Sequence, residues 1–219
     1  MPETLKLKLV TEPQNLPLSL NEAKAFLKLG DDDTADDALI MALLRAAVRH
    51  VETFTGRALI TQTWRLTLDR WPSRSRLDDQ LWEGVREAAD IVEATNFIEI
   101  PKPPLQSVSD FQVFDTSDAA STVATTVYFV DGESEPGRVG LRYVQAWPST
   151  TLRPHNGIQI TFVAGYGDDA NGIPDDILAG LRLLLAHFYE NRAACDLATN
   201  LALPMAAKEV LRPYRILRL

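Results

Sequence analysis

One cysteine in 219 residues, Cys195, leaves the chain no internal disulfide and no site of several thiolates, so its core must hold by burial alone. A chain of this length can bury enough surface to do so. No apolar run approaches the roughly 18 residues of a membrane-spanning helix, and the opening MPETLKLKLV alternates charge with apolarity instead of forming the apolar centre of a secretory leader. The expectation is a protein made and kept in a cytoplasm, with no membrane role. Positive charge is also in deficit. With 22 Lys and Arg against 30 Asp and Glu, the net charge is -8, which argues against a task of gripping the phosphate backbone.

Catalytic patterns are missing as well. Cys195 and His187 lie apart across an expected helix end, His50 falls mid-helix, His155 falls in a loop, and neither GxSxG nor HExxH occurs. Gly165, Gly167 and Gly172 look like a phosphate loop only superficially: AGYGDDANGIP carries no Lys, and its carboxylates would repel phosphate. A turn between strand and helix accounts for these glycines. No cofactor is expected.

What is present is 46% hydrophobic and 24% charged, the balance of one ordinary globular unit or two small ones. Its acid is unevenly placed. Asp31, Asp32, Asp33, Asp36 and Asp37 form one cluster and Asp168, Asp169, Asp175 and Asp176 another. Such carboxylates can hold Mg²⁺ or Ca²⁺ for phosphodiester hydrolysis, but both clusters immediately precede helices, where the dipole favours acid, so capping is preferred over metal binding. From Lys208 onward the charge reverses, with Arg212, Arg215 and Arg218 against Glu209.

Ser19 and Glu22 have the spacing of a capping box, opening a short helix from Leu20 to Leu29 that Gly30 ends. In the next helix Leu39, Ile40, Leu43, Leu44, Ala47, Val48, Val51 and Phe54 recur at helical spacing, with Arg45, Arg49 and Glu52 turned away, and Gly56 closes it. The period then changes to two at Trp64, Leu66 and Leu68. Further strands are expected at Phe97 to Ile100, Val108 to Phe114, Thr126 to Val130, Arg138 to Val144 and Ile158 to Ala164. Ser73 to Asn96 reads as an exposed amphipathic helix, and Trp64, Trp71 and Trp82 either pack the sheet and that helix or mark an interface. Pro174 with Asp175 and Asp176 opens a third main helix to Arg192, apolar on nearly all sides and so in need of enclosure by helices or subunits. Pro204 and Pro213 bracket a last short helix, and the following residues are extended. LRPYRILRL, stiffened by proline and apolar between its arginines, suits docking on a partner better than nucleic-acid contact. The class is therefore α+β.

The segments LSLNEAKAFLKL, ALIMALLRAAVRHVETFTGRALITQTWRLTLD, PKPPLQSV, AWPSTTLRP, ITFVAGYGDDANGIPDDI, LLLAHFYENR and LPMAAKEVLRPYRILRL, in this order, resemble the head-tail connector proteins of tailed phages and gene transfer agents. The resemblance implies a helical bundle of the connector type with an inserted antiparallel β-rich subdomain. Residues 1–60 would be the first part of the bundle, 61–165 the insertion with its extra helix at 75–94, and 166–219 the last helix and a portal-docking tail. It further implies a structural ring of twelve copies below the portal protein, monomeric alone, that extends the DNA channel and receives a tail-side completion or terminator protein, in a virion or phage-like particle assembled in the bacterial host cytoplasm. Leu211, Arg212, Pro213, Tyr214, Arg215, Ile216 and Leu217 match the portal-binding segment. Asp31, Asp32, Asp33, Asp168 and Asp169 are expected to face the lumen or tail side, letting DNA slide through without specific binding. A metal-dependent nuclease using Asp168, Asp169, Asp175 and Asp176 is the competing reading.

Overall fold

A computed structural model describes residues 6–30, 32–71, 73–74, 93–94, 96–191 and 204–216. Asp31, Trp82, Cys195, Leu217 and nearly all of the expected helix at 75–94 lie outside the described residues. The chain divides into two compact units, one drawn from Thr11–Gln62, Pro101–Pro104 and Ala164–Leu219, the other from Met1–Val10, Thr63–Ile100 and Leu105–Val163.

The first unit is helical. Helix α1 (Leu20–Phe26) opens on the expected box: the Ser19 hydroxyl accepts from the Glu22 amide, and the Glu22 carboxylate accepts from the Ser19 amide at 2.7 Å. Its stop differs from expectation. Lys28, not Gly30, takes the left-handed conformation (φ 58), with the Leu29 amide donating back to the Lys24 carbonyl at 3.0 Å. That is a Schellman closure, which uses any residue able to tolerate the turn. Helix α2 (Asp37–Thr55) ends at Gly56 with φ 76. Helix α3 (Asp175–Glu190) starts behind Pro174, and α4 (Met205–Leu211) behind Pro204, with Arg212–Tyr214 continuing as a single 3₁₀ turn. Ile40, Leu44, Ala47 and Val51 of α2, Ile177, Leu181, Leu184 and Leu185 of α3, and Leu211 are fully buried together. Only Leu183 breaks the enclosure of α3 among its large apolar residues, at 36% exposure.

Among the described residues the second unit holds three sheets. Strands β1 (Lys6–Thr11), β2 (Gln62–Leu68), β6 (Leu105–Phe114), β7 (Ala120–Thr122) and β10 (Ile158–Ala164) order as β1-β2-β10-β6-β7. In β10 the buried Ile158, Ile160, Phe162 and Ala164 alternate with half-buried residues, as period two requires. Strands β5 (Phe97–Ile100), β8 (Tyr128–Asp131) and β9 (Gly137–Leu141) form an antiparallel sheet in the order β5-β9-β8. β3 (Ser73–Arg74) pairs antiparallel with β4 (Glu93–Ala94), which corrects both ends of the expected 73–96 helix, because helical backbone there would forfeit the ladder. Val144, expected in a strand, lies instead in a turn closed by the Gln145 amide on the Arg142 carbonyl. At the centre of this unit Trp71 stacks on Trp147 with centroids 4.9 Å apart, and Phe111 tilts against both and against Tyr128. Trp71 thus packs the sheet unit.

Candidate functional site: the motif junction of the helical unit

Gly56 reverses the chain after α2 and sends Arg57 inward, where it is 5% exposed. A buried guanidinium must find acceptors or it costs several kcal/mol, on the order of what a lost core side chain costs. It finds two. Its Nε donates to the Tyr214 carbonyl at 2.7 Å and its Nη1 to the Tyr166 hydroxyl at 3.0 Å, while its plane stands 5.9 Å from the Tyr214 ring centroid. The neighbouring Thr55 carbonyl accepts from the Ile216 amide at 2.9 Å. The C-terminal segment is therefore stitched to the end of α2.

The rest of the junction is built from the same distant motifs. Leu211 is fully buried against Gly180, where an added Cβ would stand 2.7 Å from the leucine Cγ, so only glycine lets α4 approach α3 this closely. The Tyr214 hydroxyl donates to Asp176 at 3.1 Å; desolvation, then that carboxylate, raises the phenol's pKa. The Ala58 amide donates to the Pro103 carbonyl, the Gly165 amide to that of Pro104, and the Tyr166 amide to that of Leu59. Gly165 has φ 136, and a Cβ there would meet the Ile60 carbonyl at 2.6 Å. TGRAL, PKPP, GYGDD and LRPYR, separated by up to 160 residues of chain, thus converge here.

Glu52 corrects an expectation. It does not turn to solvent with Arg45 and Arg49: the reversal at Gly56 returns the Leu59 amide to its Oε1 at 2.9 Å, and Gln62 Nε2 donates to the same oxygen at 2.7 Å. Burial pushes its carboxyl above the usual range, partly offset by these bonds. The described donors and acceptors of the junction meet one another, which makes it a mechanical tie. Arg57 and Glu52 were missed as sequence candidates, although an arginine directly before the apolar ALI was a signal of burial.

The aspartates have local partners. Asp32 and Asp33 are exposed, and Asp33 Oδ1 accepts from the Ala35 amide at 3.3 Å. Asp36 accepts from the Tyr189 hydroxyl at 2.7 Å, and Asp37 pairs with buried Lys24 at 3.0 Å. Asp168 and Asp169 are exposed; the Asp168 carbonyl accepts from Asn15, and Asp169 caps a 3₁₀ turn through the Asn171 amide. Asp175 and Asp176 sit in the first turn of α3. Among the described residues no three His, Cys, Asp or Glu side chains are grouped to hold a metal ion, so the nuclease reading is not favoured. Of the expected docking residues, Arg212, Pro213 and Arg215 are exposed, Tyr214 and Ile216 half-buried, and Leu211 buried.

Residues 17–103 match the family model of phage gp6-like head-tail connector proteins. Nearly the whole chain also superposes on solved neck subunits. In the neck of an empty gene-transfer-agent particle computed with C6 symmetry, a chain 24% identical matches with TM-score 0.74, over 98% of this chain and 97% of that one. The connector-family match covers less than half of the chain, and the likeness to this neck chain is one of fold. A chain in the neck of a native particle computed with C12 symmetry is 22% identical, with TM-score 0.71 over 98% and 97% of the two chains. Another, in the virion of a native gene-transfer-agent particle, is 23% identical, with TM-score 0.69 over 97% and 96%. No curated protein matches. The family match ends at residue 103, so it covers α1, α2 and the TGRAL side of the junction, and the fold comparison covers the remainder.

Proposed function

We propose that this protein is a head-tail connector that forms a ring of twelve copies at the head-tail junction, below the portal protein, where it extends the DNA channel, receives a tail-side completion or terminator protein, and catalyses nothing. The observation that carries this reading is the superposition of 98% of the chain on a neck subunit, joined to the family match at 17–103. The charge supports it. A channel wall of net charge -8 per copy repels DNA and lets it slide, whereas a basic wall would hold it through counterion release. Asp32, Asp33, Asp168 and Asp169, all exposed, are the side chains we assign to the lumen or tail side.

The portal-docking surface is the outer side of the C-terminal segment. Leu211 serves as its root in the helical core, and Arg212, Pro213 and Arg215 are its exposed members. Truncation at Arg212 would remove the Tyr214 carbonyl from Arg57 and the Ile216 amide from Thr55. Charge reversal is the cleaner probe. Purified connector mixed with its portal should give stacked rings by electron microscopy, and Arg212→Glu with Arg215→Glu should abolish them while leaving the melting temperature unchanged. Rings that form equally well with the double variant would remove this segment from the docking surface; metal-stimulated DNA cleavage by the wild-type protein would overturn the structural reading.

A further inference from the structure

Residues 212–216 have little of their own to keep them in place. Arg212, Pro213 and Arg215 are exposed, Tyr214 and Ile216 are only half-buried, and an exposed stretch near a chain end frays unless something ties it down. The ties come from inside the helical unit and fall on either side of one residue. Arg57 Nε donates to the Tyr214 carbonyl at 2.7 Å, and the Thr55 carbonyl accepts from the Ile216 amide at 2.9 Å, so both peptide groups that flank Arg215 are fixed. The Arg215 guanidinium then stands 5.6 Å from the Phe54 ring centroid. Arg212 follows, because the Arg215 amide donates to its carbonyl at 3.2 Å and Pro213 between them has a fixed φ. Arg57 is itself held at its far end, where Nη1 donates to the Tyr166 hydroxyl at 3.0 Å. At 5% exposure it has almost no surface to offer a partner.

We infer that Arg57 is the positioning residue of the docking segment: from inside the helical unit it sets the backbone on which Arg212 and Arg215 are displayed, so docking depends on a residue that never meets the partner. The inference rests on the docking reading above and adds that the surface is built before the partner arrives. The partner it fits is a surface that carries carboxylates. The exposed side chains are two guanidinia and a proline, and a guanidinium gains most where its fork meets a carboxylate in one geometry. Fixing that geometry in advance takes the ordering cost out of the binding step, which for one long side chain and its backbone is worth roughly tenfold in affinity. Lysine at position 57 would keep the charge but could not reach the Tyr214 carbonyl and the Tyr166 hydroxyl with one rigid plane.

The test is the affinity of the full-length protein for its purified portal, measured with Arg57→Lys at a temperature where hydrogen exchange shows α2 and α3 of the variant still protected. The expected result is binding about tenfold weaker, with exchange faster at the Ile216 amide and unchanged along α2 and α3. Tyr166→Phe, which takes away only the acceptor of Nη1, should act in the same direction and by less. In an Arg215→Ala background Arg57→Lys should weaken binding by a smaller factor than in wild type, since one of the two displayed guanidinia is no longer there to be misplaced, whereas a purely structural role gives the same factor in both. Equal factors in the two backgrounds, or wild-type affinity with Arg57→Lys, would overturn the inference and leave the docking reading intact. Wild-type protein that does not bind portal, or binding that survives Arg212→Glu with Arg215→Glu, would overturn both.

Discussion

In the helical unit the partly buried polar groups join segments far apart in sequence: Arg57 reaches Tyr214 and Tyr166, and Thr55 receives Ile216. In the β unit several such groups close loops on themselves. Asp131 accepts from Ser134 and Arg138, Asp115 from Ser117 and Ala119, and Arg153 donates to the carbonyl of Asn156. Exceptions include Asp69, which gathers Lys6 and Asn156, Arg153, which also donates to Asp118, and Ser109, which donates to the Thr161 carbonyl. Long ties make one segment's chemistry depend on another's, and short ties leave each loop self-sufficient. This difference fits the convergence of TGRAL, PKPP, GYGDD and LRPYR in the helical unit, while the β unit carries the exposed apolar turn at Tyr143 and Val144 and can vary its surface without loosening its centre.

The centre of the β unit is the first place to test that contrast, since its cohesion rests on packed rings. Phe111 is 1% exposed and touches Trp71, Trp147 and Tyr128. Phe111→Ala should cost about 3–5 kcal/mol in chemical denaturation and erase the near-ultraviolet dichroism of the stacked tryptophans. A loss below about 1 kcal/mol would mean the cluster collapses on the cavity and is not the keystone. In the helical unit the matching test is Arg57→Ala, which removes one donor from the Tyr214 carbonyl and one from the Tyr166 hydroxyl and should cost about 2–4 kcal/mol. Hydrogen exchange should accelerate at Ile216 above all. Arg57→Lys should rescue little, because one ammonium cannot copy the two-pronged reach of the guanidinium.

The third test is electrostatic. Glu52 has its folded pKa above the ordinary 4.5, chiefly through burial. The stability tied to this carboxyl is therefore complete below about pH 4.5 and is lost as pH rises through the folded value. A glutamine keeps the carbonyl that accepts from Leu59 and Gln62 and never ionises. Glu52→Gln should melt higher than wild type at pH 7 and equally at pH 4; a gain of the same size at both would show that burial of charge is not the cause.

What could be read beforehand divides along the same line. Periodicity located α2, β5 and β10, because one face of each is buried and the pattern follows the burial. The capping box was readable for the opposite reason, being complete within four residues. The junction was not: that Arg57 pairs with a carbonyl 157 residues away is a property of packing, and Glu52 has the same helical phase as the solvent-facing Arg45 and Arg49 until Gly56 folds the chain back over it. The edge strand β7 was missed too, since all three of its residues are exposed and no alternation marks it.

The smallest effect tests the most local misreading. Gly30 was expected to end α1 because glycine is the cheapest residue at a left-handed position, yet the turn falls at Lys28, two residues earlier. Leu27 and Leu29 pack against the core, and ending the helix one turn later would swing Leu29 away from it. Packing has thus overridden backbone preference at a cost of about 1–2 kcal/mol for a lysine in that conformation. Lys28→Gly removes this cost but gives the unfolded chain more freedom, which takes back about 0.4–1 kcal/mol. The net expectation is a stabilisation of about 0.5–1 kcal/mol in denaturant titrations, with the helical signal unchanged. A destabilised Lys28→Gly variant would mean that the lysine stem contributes packing worth more than the strain it bears, and that this helix end is held by its side chain as firmly as the junction is held by Arg57.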